Sequence, residues 1–195
     1  MRAVPAAAAS VLVIGVLAGC ASADPIAEQY RSGSEQNYVA GDGSVLEIAA
    51  ESRDEPVTFA GELDTGGTLS SSDFDGDILV VNFWYASCPP CRAEAPDLEA
   101  VNLAYADKGV SFLGVNVRDD SAAALAFADT FNVTYPSLLD REGRILLEFS
   151  GLVAPNAVPT TLVLDRQSRV AARVLGQLSD RSILESLIDR VLAEK

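Results

Sequence analysis

The sequence predicts an α/β fold, a parallel sheet built from successive strand-helix units, in a single domain. Three observations carry that prediction. Ile78 to Trp84 is a nearly unbroken apolar run, as expected of a strand covered on both faces. A helical pattern from Pro89 to Lys108 follows it, then a second apolar run from Val110 to Val117 and a second helical stretch from Ser121 to Phe131. Two strand-helix alternations in succession imply parallel strands joined by right-handed crossovers.

The front end reads as an export signal. Arg2 supplies one positive charge, and Ala3 to Gly19 is apolar or small apart from Pro5 and Ser10, which predicts a signal peptide over residues 1–19. Leu17-Ala18-Gly19-Cys20 resembles a bacterial lipobox, which implies a diacylglycerol group on Cys20 after cleavage; two acyl chains suffice for stable anchoring. An uncut membrane helix is disfavoured, because the run barely reaches the roughly 17 to 20 residues that a span needs and is rich in alanine. Residues 20–54 hold few large apolar side chains and several Gly and Ser, so a lipid-anchored tether is expected there, with some order near its end. The folded domain is then expected over residues 55–195.

Within that domain, Val57 to Glu62 is a short strand candidate, turned by Thr65, Gly66 and Gly67, and Ser70 to Gly76 carries turn and cap residues. Pro89 and Pro90 cannot continue a strand but suit the first turn of a helix, where their missing N–H groups would be unpaired anyway. Cys88 therefore falls at a strand-to-helix junction. Gly109 is placed to end the first helix in left-handed geometry, Pro96 inside it predicts a kink, and Asn132 ends the second helix. Ser137 to Asp140 and Ile145 to Phe149 are short apolar runs around a turn at 141–143, and periodicity leaves the second of them open between helix and strand. Thr161 to Leu164 and Arg169 to Leu175 predict an antiparallel hairpin through a turn at 165–168. The last helix is predicted from an N-cap at Ser179, with Ile183, Leu184, Leu187, Ile188, Val191 and Leu192 on one face.

Composition limits the chemistry. There is no histidine, which removes the usual general base and the usual metal ligand. A net charge of -14 disfavours a nucleic-acid partner, whose phosphates the surface would repel. Two of the three cysteines lie three positions apart, where a structural disulfide closes a very short loop and adds little stability. A Cys-x-x-Cys pair is either half of a zinc site or a redox couple. Zinc needs four thiolate or imidazole ligands, and with no second pair and no histidine no metal is expected. The redox reading remains, with the disulfide itself as the only redox group and no further cofactor. At a helix start, free N–H groups and the helix dipole stabilise a thiolate at Cys88, the expected nucleophile, and Cys91 one turn later is the expected resolving thiol. Pro89 and Pro90 subtract donors from that turn, which predicts a comparatively reducing couple.

Val81-Asn82-Phe83-Trp84, then Cys88-Pro89-Pro90-Cys91-Arg92 with Glu94 and Pro96, resembles the TlpA/ResA-like thioredoxin family of bacterial thiol-disulfide oxidoreductases. The similarity runs from about Val57 to the C-terminus and takes in Gly114-Val115-Asn116-Val117 and Val158-Pro159-Thr160. It implies a thioredoxin-like three-layer fold with an N-terminal β extension and a central αβ insertion. It also implies that Pro159 is cis and packs against the dithiol, with Val158 offering backbone hydrogen bonds to an extended substrate; cis geometry is a prolyl property. An active-site glutamate is implied at Glu94, three positions after Cys91, although a glutamate so early in a helix is also favourable to the helix dipole alone. Asn82 stands where classical thioredoxins carry a buried aspartate, which leaves Glu94 as the candidate acid. Trp84 matches a family tryptophan, with core packing and site shaping both open as its role. Ser87 stands where the family commonly has tryptophan.

By resemblance, the expected activity is reduction of extracytoplasmic disulfides by a monomer on the outer face of the cell membrane, with an exported protein such as apocytochrome c as substrate and a membrane thiol transporter as electron donor. Two rivals are an oxidase or isomerase for exported proteins, and a tethered binding protein that keeps the fold without the chemistry. Peroxidase activity is disfavoured, since no peroxide-reducing cysteine motif is present.

Overall fold

Burial on both faces decides the centre of the sheet. The computed structural model describes residues 44–154 and 157–194. The signal peptide expected over residues 1–19, Cys20 and the tether as far as residue 43 lie outside the described residues. Strand β4 (Ile78–Trp84) is buried at every position and lies between β5 (Val110–Asn116), parallel to it, and β7 (Thr160–Leu164), antiparallel. The full order is β1-β8-β7-β4-β5-β6-β2-β3, with β1 at Ser44–Glu47, β2 at Ala60–Leu63, β3 at Thr68–Ser70, β6 at Ser137–Leu139 and β8 at Val170–Leu175. β5 and β6 are also parallel, so the two crossovers read from the sequence are present. The remaining pairings are antiparallel, and the sheet is mixed rather than parallel as expected, because hairpins and a returning chain add strands on either side of the crossovers. β7 and β8 form the expected hairpin.

Helices cover both faces. Helix α1 (Pro89–Tyr105) and the final helix α4 (Arg181–Leu192) pack on one face, where Leu98, Val101 and Tyr105 meet Leu184, Leu187 and Ile188 over Ile78, Val80 and Val163. On the other face lie α2 (Ser121–Phe131) and the short α3 (Arg144–Glu148), with Phe127, Ile145 and Phe149 against Val81, Phe83 and Val115. The second cluster also takes in Cys88, Cys91 and Ala95 from the start of α1.

Several boundaries move for identifiable reasons. Expected tether residues from Ser44 onward belong to the sheet: β1 pairs antiparallel with β8 from Ser44 opposite Leu175 to Glu47 opposite Ala172. All four of its residues are exposed, so the strand is held by backbone pairing with a partner far along the chain, which composition does not reveal. Arg53 completes the attachment. Its guanidinium, with a side chain only 2% exposed, pairs with Asp165 at 2.8 Å and Glu194 at 2.6 Å. Burial alone would raise the Asp165 carboxyl, but hydrogen bonds from the Arg169 backbone and from the Arg53 and Arg169 side chains hold it below its ordinary value. Ser44 to Glu47 and Arg53, ahead of the expected boundary at residue 55, are thus attached to the sheet and to the last helix's end.

The strand expected at 57–62 shifts to β2, because Val57 N–H is taken by Ser168 C=O at 2.9 Å and the chain joins the sheet only from Ala60. The open segment at 145–149 is helical: Asp140 accepts from Ile145 N–H at 3.0 Å and Leu146 N–H at 2.8 Å, a cap that lies five and six positions upstream. The N-cap of the last helix is Asp180, whose carboxylate accepts from Ser182 N–H at 2.8 Å, rather than Ser179. Helix α1 ends at Tyr105 and a 3-10 turn carries it through Lys108 to Gly109, which is left-handed at φ 72° as expected. Pro96 lies inside α1.

Candidate functional site

The site forms where β4 ends and α1 begins. Cys88 N–H donates to Tyr85 C=O at 3.2 Å, closing a turn over Tyr85 to Cys88 that carries the chain from the strand into the helix. Cys88 is the N-cap of α1, with proline at the first helical positions, and forms a disulfide with Cys91. Because Pro89 and Pro90 have no N–H, the first donor of the helix is Cys91 N–H, which reaches Cys88 Sγ at 3.2 Å. Oxidised, the pair is enclosed: Cys88 is 0% and Cys91 2% exposed, in one apolar cluster with Trp84, Val153 and Val158. An incoming thiolate must displace part of that cover before it reaches sulfur.

Glu94, one turn beyond Cys91, is fully buried. Its Oε1 accepts from Asn82 Nδ2 at 2.9 Å, and its Oε2 from Leu178 N–H at 3.0 Å. Asn82 Nδ2 also donates to Thr161 Oγ1 at 3.1 Å, so one carboxyl ties α1 to β4, β7 and the loop before α4. Burial pushes the Glu94 carboxyl up to about 8, more than the two hydrogen bonds pull it down, with the charge of Asp97 adding to the rise. At neutral pH this group holds a proton, and its affinity for that proton is close to that of an ordinary thiol. A solvated glutamate that merely favoured the helix dipole would show neither the burial nor the two donors.

The Val158–Pro159 peptide is cis, and both residues are buried at the start of β7. Trp84 lies in the core, 5% exposed, in the cluster that holds the dithiol and with its ring 4.2 Å from that of Phe127. Gly114 makes room for it: a Cβ there would meet the Ser137 hydroxyl, and Trp84 Nε1 at 2.7 Å. Ser87 is exposed at the tip of the turn, so no large side chain stands beside Cys88 at that position. The sequence does not reveal Asn82 and Leu178 as the partners of Glu94, or Thr161 behind Asn82, because Thr161 and Leu178 come from β7 and the loop before α4, far along the chain from it.

A model of the Redoxin family matches residues 53–188. The chain is similar to the thiol-disulfide oxidoreductase ResA of Geobacillus kaustophilus, 32% identical over 119 residues that cover 60% of this chain and 66% of that protein. It is also similar to the thiol:disulfide interchange protein DsbE of Pseudomonas aeruginosa, 30% identical over 125 residues that cover 64% and 65%. The matched part thus spans just under two thirds of either relative. Among solved structures, a DsbF homologue from Corynebacterium diphtheriae superposes with a TM-score of 0.70 at 32% identity, covering 77% of this chain and 94% of that one. A secreted thiol-disulfide isomerase from Corynebacterium glutamicum gives 0.71 at 28% identity, covering 80% and 96%. These likenesses bear out the thioredoxin-like fold.

Proposed function

The chain belongs to the Redoxin family, and from that premise we propose that it is a thiol-disulfide oxidoreductase working as a disulfide reductase through Cys88 and Cys91. The observation that carries the reading is the couple itself: a disulfide at a helix N-cap, with a buried, proton-holding Glu94 on the next turn. In the reduced protein the Cys88 thiolate attacks a substrate disulfide. A bond forms between Cys88 Sγ and one substrate sulfur, the substrate S–S bond breaks, and the released thiolate takes up a proton. Cys91 then loses its proton and attacks Cys88 Sγ. This breaks the mixed disulfide, frees the second substrate thiol and leaves Cys88–Cys91 oxidised, with two electrons and two protons passed on. Glu94, protonated in the oxidised chain, is the group placed to give its proton to the Cys91 sulfur when a donor dithiol reduces the couple, and, once ionised in that way, to take the proton back when Cys91 attacks.

The substrate class is an exported protein disulfide, with apocytochrome c as the candidate, and the donor is a membrane thiol carrier. As the family resemblance implies, the backbone of Val158, before the cis Pro159, would be what an extended substrate pairs with. The protein acts on the extracytoplasmic side, anchored by lipid on Cys20. The relatives named for ResA and DsbE support the exchange chemistry. Among the described residues no helix is long and apolar enough to cross a membrane. For the anchor, Cys20→Ala is expected to move the protein from the membrane to the soluble fraction of the producing cell, and an unchanged membrane fraction would remove the lipid from the account.

A second reading, an isomerase, is favoured by the name of the Corynebacterium glutamicum structure. The two differ in potential. The reductase reading predicts a Cys88–Cys91 couple near or below roughly -250 mV when equilibrated against a dithiothreitol or glutathione series, because two prolines take donors from the turn that stabilises the thiolate. A value near roughly -120 to -180 mV would transfer the protein to the oxidase and isomerase class.

A further inference from the structure

The turn that delivers Cys88 is gripped from both sides, on one of them from outside the dithiol helix. On one side, Ala86 N–H donates to Asp119 Oδ2 at 2.5 Å. Asp119 lies in the loop between β5 and α2, and its carboxylate is itself aimed. Asn116, the fully buried last residue of β5, donates from Nδ2 to the same Oδ2 at 2.9 Å, while its Oδ1 accepts from Arg118 N–H at 3.0 Å and Asp119 N–H at 2.7 Å. One amide side chain thus sets both the backbone of the loop and the direction of the carboxylate. On the other side, Arg92 Nη1 donates to Ala86 C=O at 3.2 Å, and its guanidinium lies over the Phe131 ring at 4.9 Å. The guanidinium of Arg118 lies 3.8 Å from the centre of the Tyr85 ring.

We propose that Asp119, oriented by Asn116, is a positioning residue for the nucleophile: by holding Ala86 N–H it fixes the Tyr85 to Cys88 turn and so keeps Cys88 Sγ in line with the N–H of Cys91. The physical argument is one of donor supply. With Pro89 and Pro90 in the first turn, Cys91 N–H is the first helix donor available to a Cys88 thiolate, so the thiolate depends on one well-aimed bond. A shift in the preceding turn swings Sγ off that donor with no neighbouring donor to replace it. A helix start with ordinary residues after the cysteine would be more forgiving. The inference rests on the exchange chemistry proposed above only for its importance, since the state of Cys88 is measured without any protein substrate.

The test is the rate of iodoacetamide alkylation at Cys88 in the fully reduced chain at pH 7, followed by peptide mass spectrometry in Asp119→Asn and Asp119→Ala. Both variants carry the same charge, so the difference between them isolates the hydrogen bond. Asn keeps it, because both donors converge on one oxygen that the amide supplies. Asp119→Ala is expected to alkylate about ten-fold more slowly than Asp119→Asn, the effect of losing one charge-assisted contact. Equal rates, with only the unfolding midpoint of the alanine variant lowered, would reduce Asp119 to a structural loop residue and overturn the proposal. Asp119→Ser, too short to reach Ala86, gives the same comparison if the alanine chain does not fold. Loss of exchange with glutathione disulfide in the parent chain would count against the oxidoreductase reading and leave the alkylation result standing.

Discussion

Cys88→Ser is expected to bring disulfide exchange down to the uncatalysed background, while Cys91→Ser traps the protein as a mixed disulfide with its substrate. The asymmetry follows from placement. Cys88 is the helix N-cap and receives Cys91 N–H on its sulfur, whereas Cys91 is inside the first turn and has Cys88 Sγ as its target. A hydroxyl in place of Cys88 has no accessible anion at neutral pH, so the first bond never forms. With serine at 91 the first bond forms and the second step has no nucleophile. Turnover of a small disulfide substrate reads the first variant, and a non-reducing gel or intact mass reads the second. Stability separates chemistry from folding. A disulfide that closes so short a loop is worth only about 2 kcal/mol, so both variants should stay folded. Exchange by Cys88→Ser at the parent rate would exclude the couple as the source of activity.

Glu94→Gln is expected to change two pH profiles at once. In the folded chain the Glu94 carboxyl is pushed from 4.5 up to about 8, chiefly by burial. Below 4.5 both folded and unfolded chains hold the proton, and the contribution to stability is complete. Between 4.5 and about 8 the unfolded chain ionises while the folded one stays protonated, so stability falls as pH rises. Above about 8 both are ionised and the loss is complete, on the order of 5 kcal/mol at about 1.4 kcal/mol per pKa unit. Gln has no such titration, so its curve from this group is flat. It should be less stable than the parent at pH 5 by about 1 to 3 kcal/mol, because one of the donors from Asn82 and Leu178 then faces an amide N–H₂. The two curves should approach or cross as the pH nears 8. The second profile is kinetic: resolution of a preformed mixed disulfide by Cys91 should slow about 10- to 100-fold. Urea unfolding of the oxidised chain at pH 5 and pH 8 checks the first, and single-turnover release of substrate thiol checks the second. Equal parent stability at the two pH values would show that Glu94 ionises as an ordinary carboxyl, and an unchanged release rate would remove it from proton transfer.

What the sequence by itself determined is the part of the molecule whose cause is local. Ile78 to Trp84 reads as a fully buried strand because every residue but Asn82 is apolar, and it is one. Ser121 to Phe131 is delimited by a cap and a left-handed Asn132, at φ 55°, that act within a turn of the helix they end. The Cys-x-x-Cys pair, two prolines and a preceding apolar strand place the couple at a helix start without knowledge of any other part of the chain. What only the tertiary structure decided is the part whose cause is distant. β1 is exposed at all four positions and exists because β8 pairs with it. The helix at 144–148 depends on Asp140 turning back to cap it. Glu94 is a buried acid rather than a surface residue because Asn82 from β4 and Leu178 from the loop before α4 close over it in a medium too apolar to hold its charge. The Asn116–Asp119 hold on Ala86 spans more than 30 residues between two adjacent parallel strands, and only their register, with Trp84 opposite Asn116, brings that carboxylate to the turn before Cys88. Periodicity and caps act over a few residues, whereas burial and pairing are set by whichever segments the sheet makes neighbours.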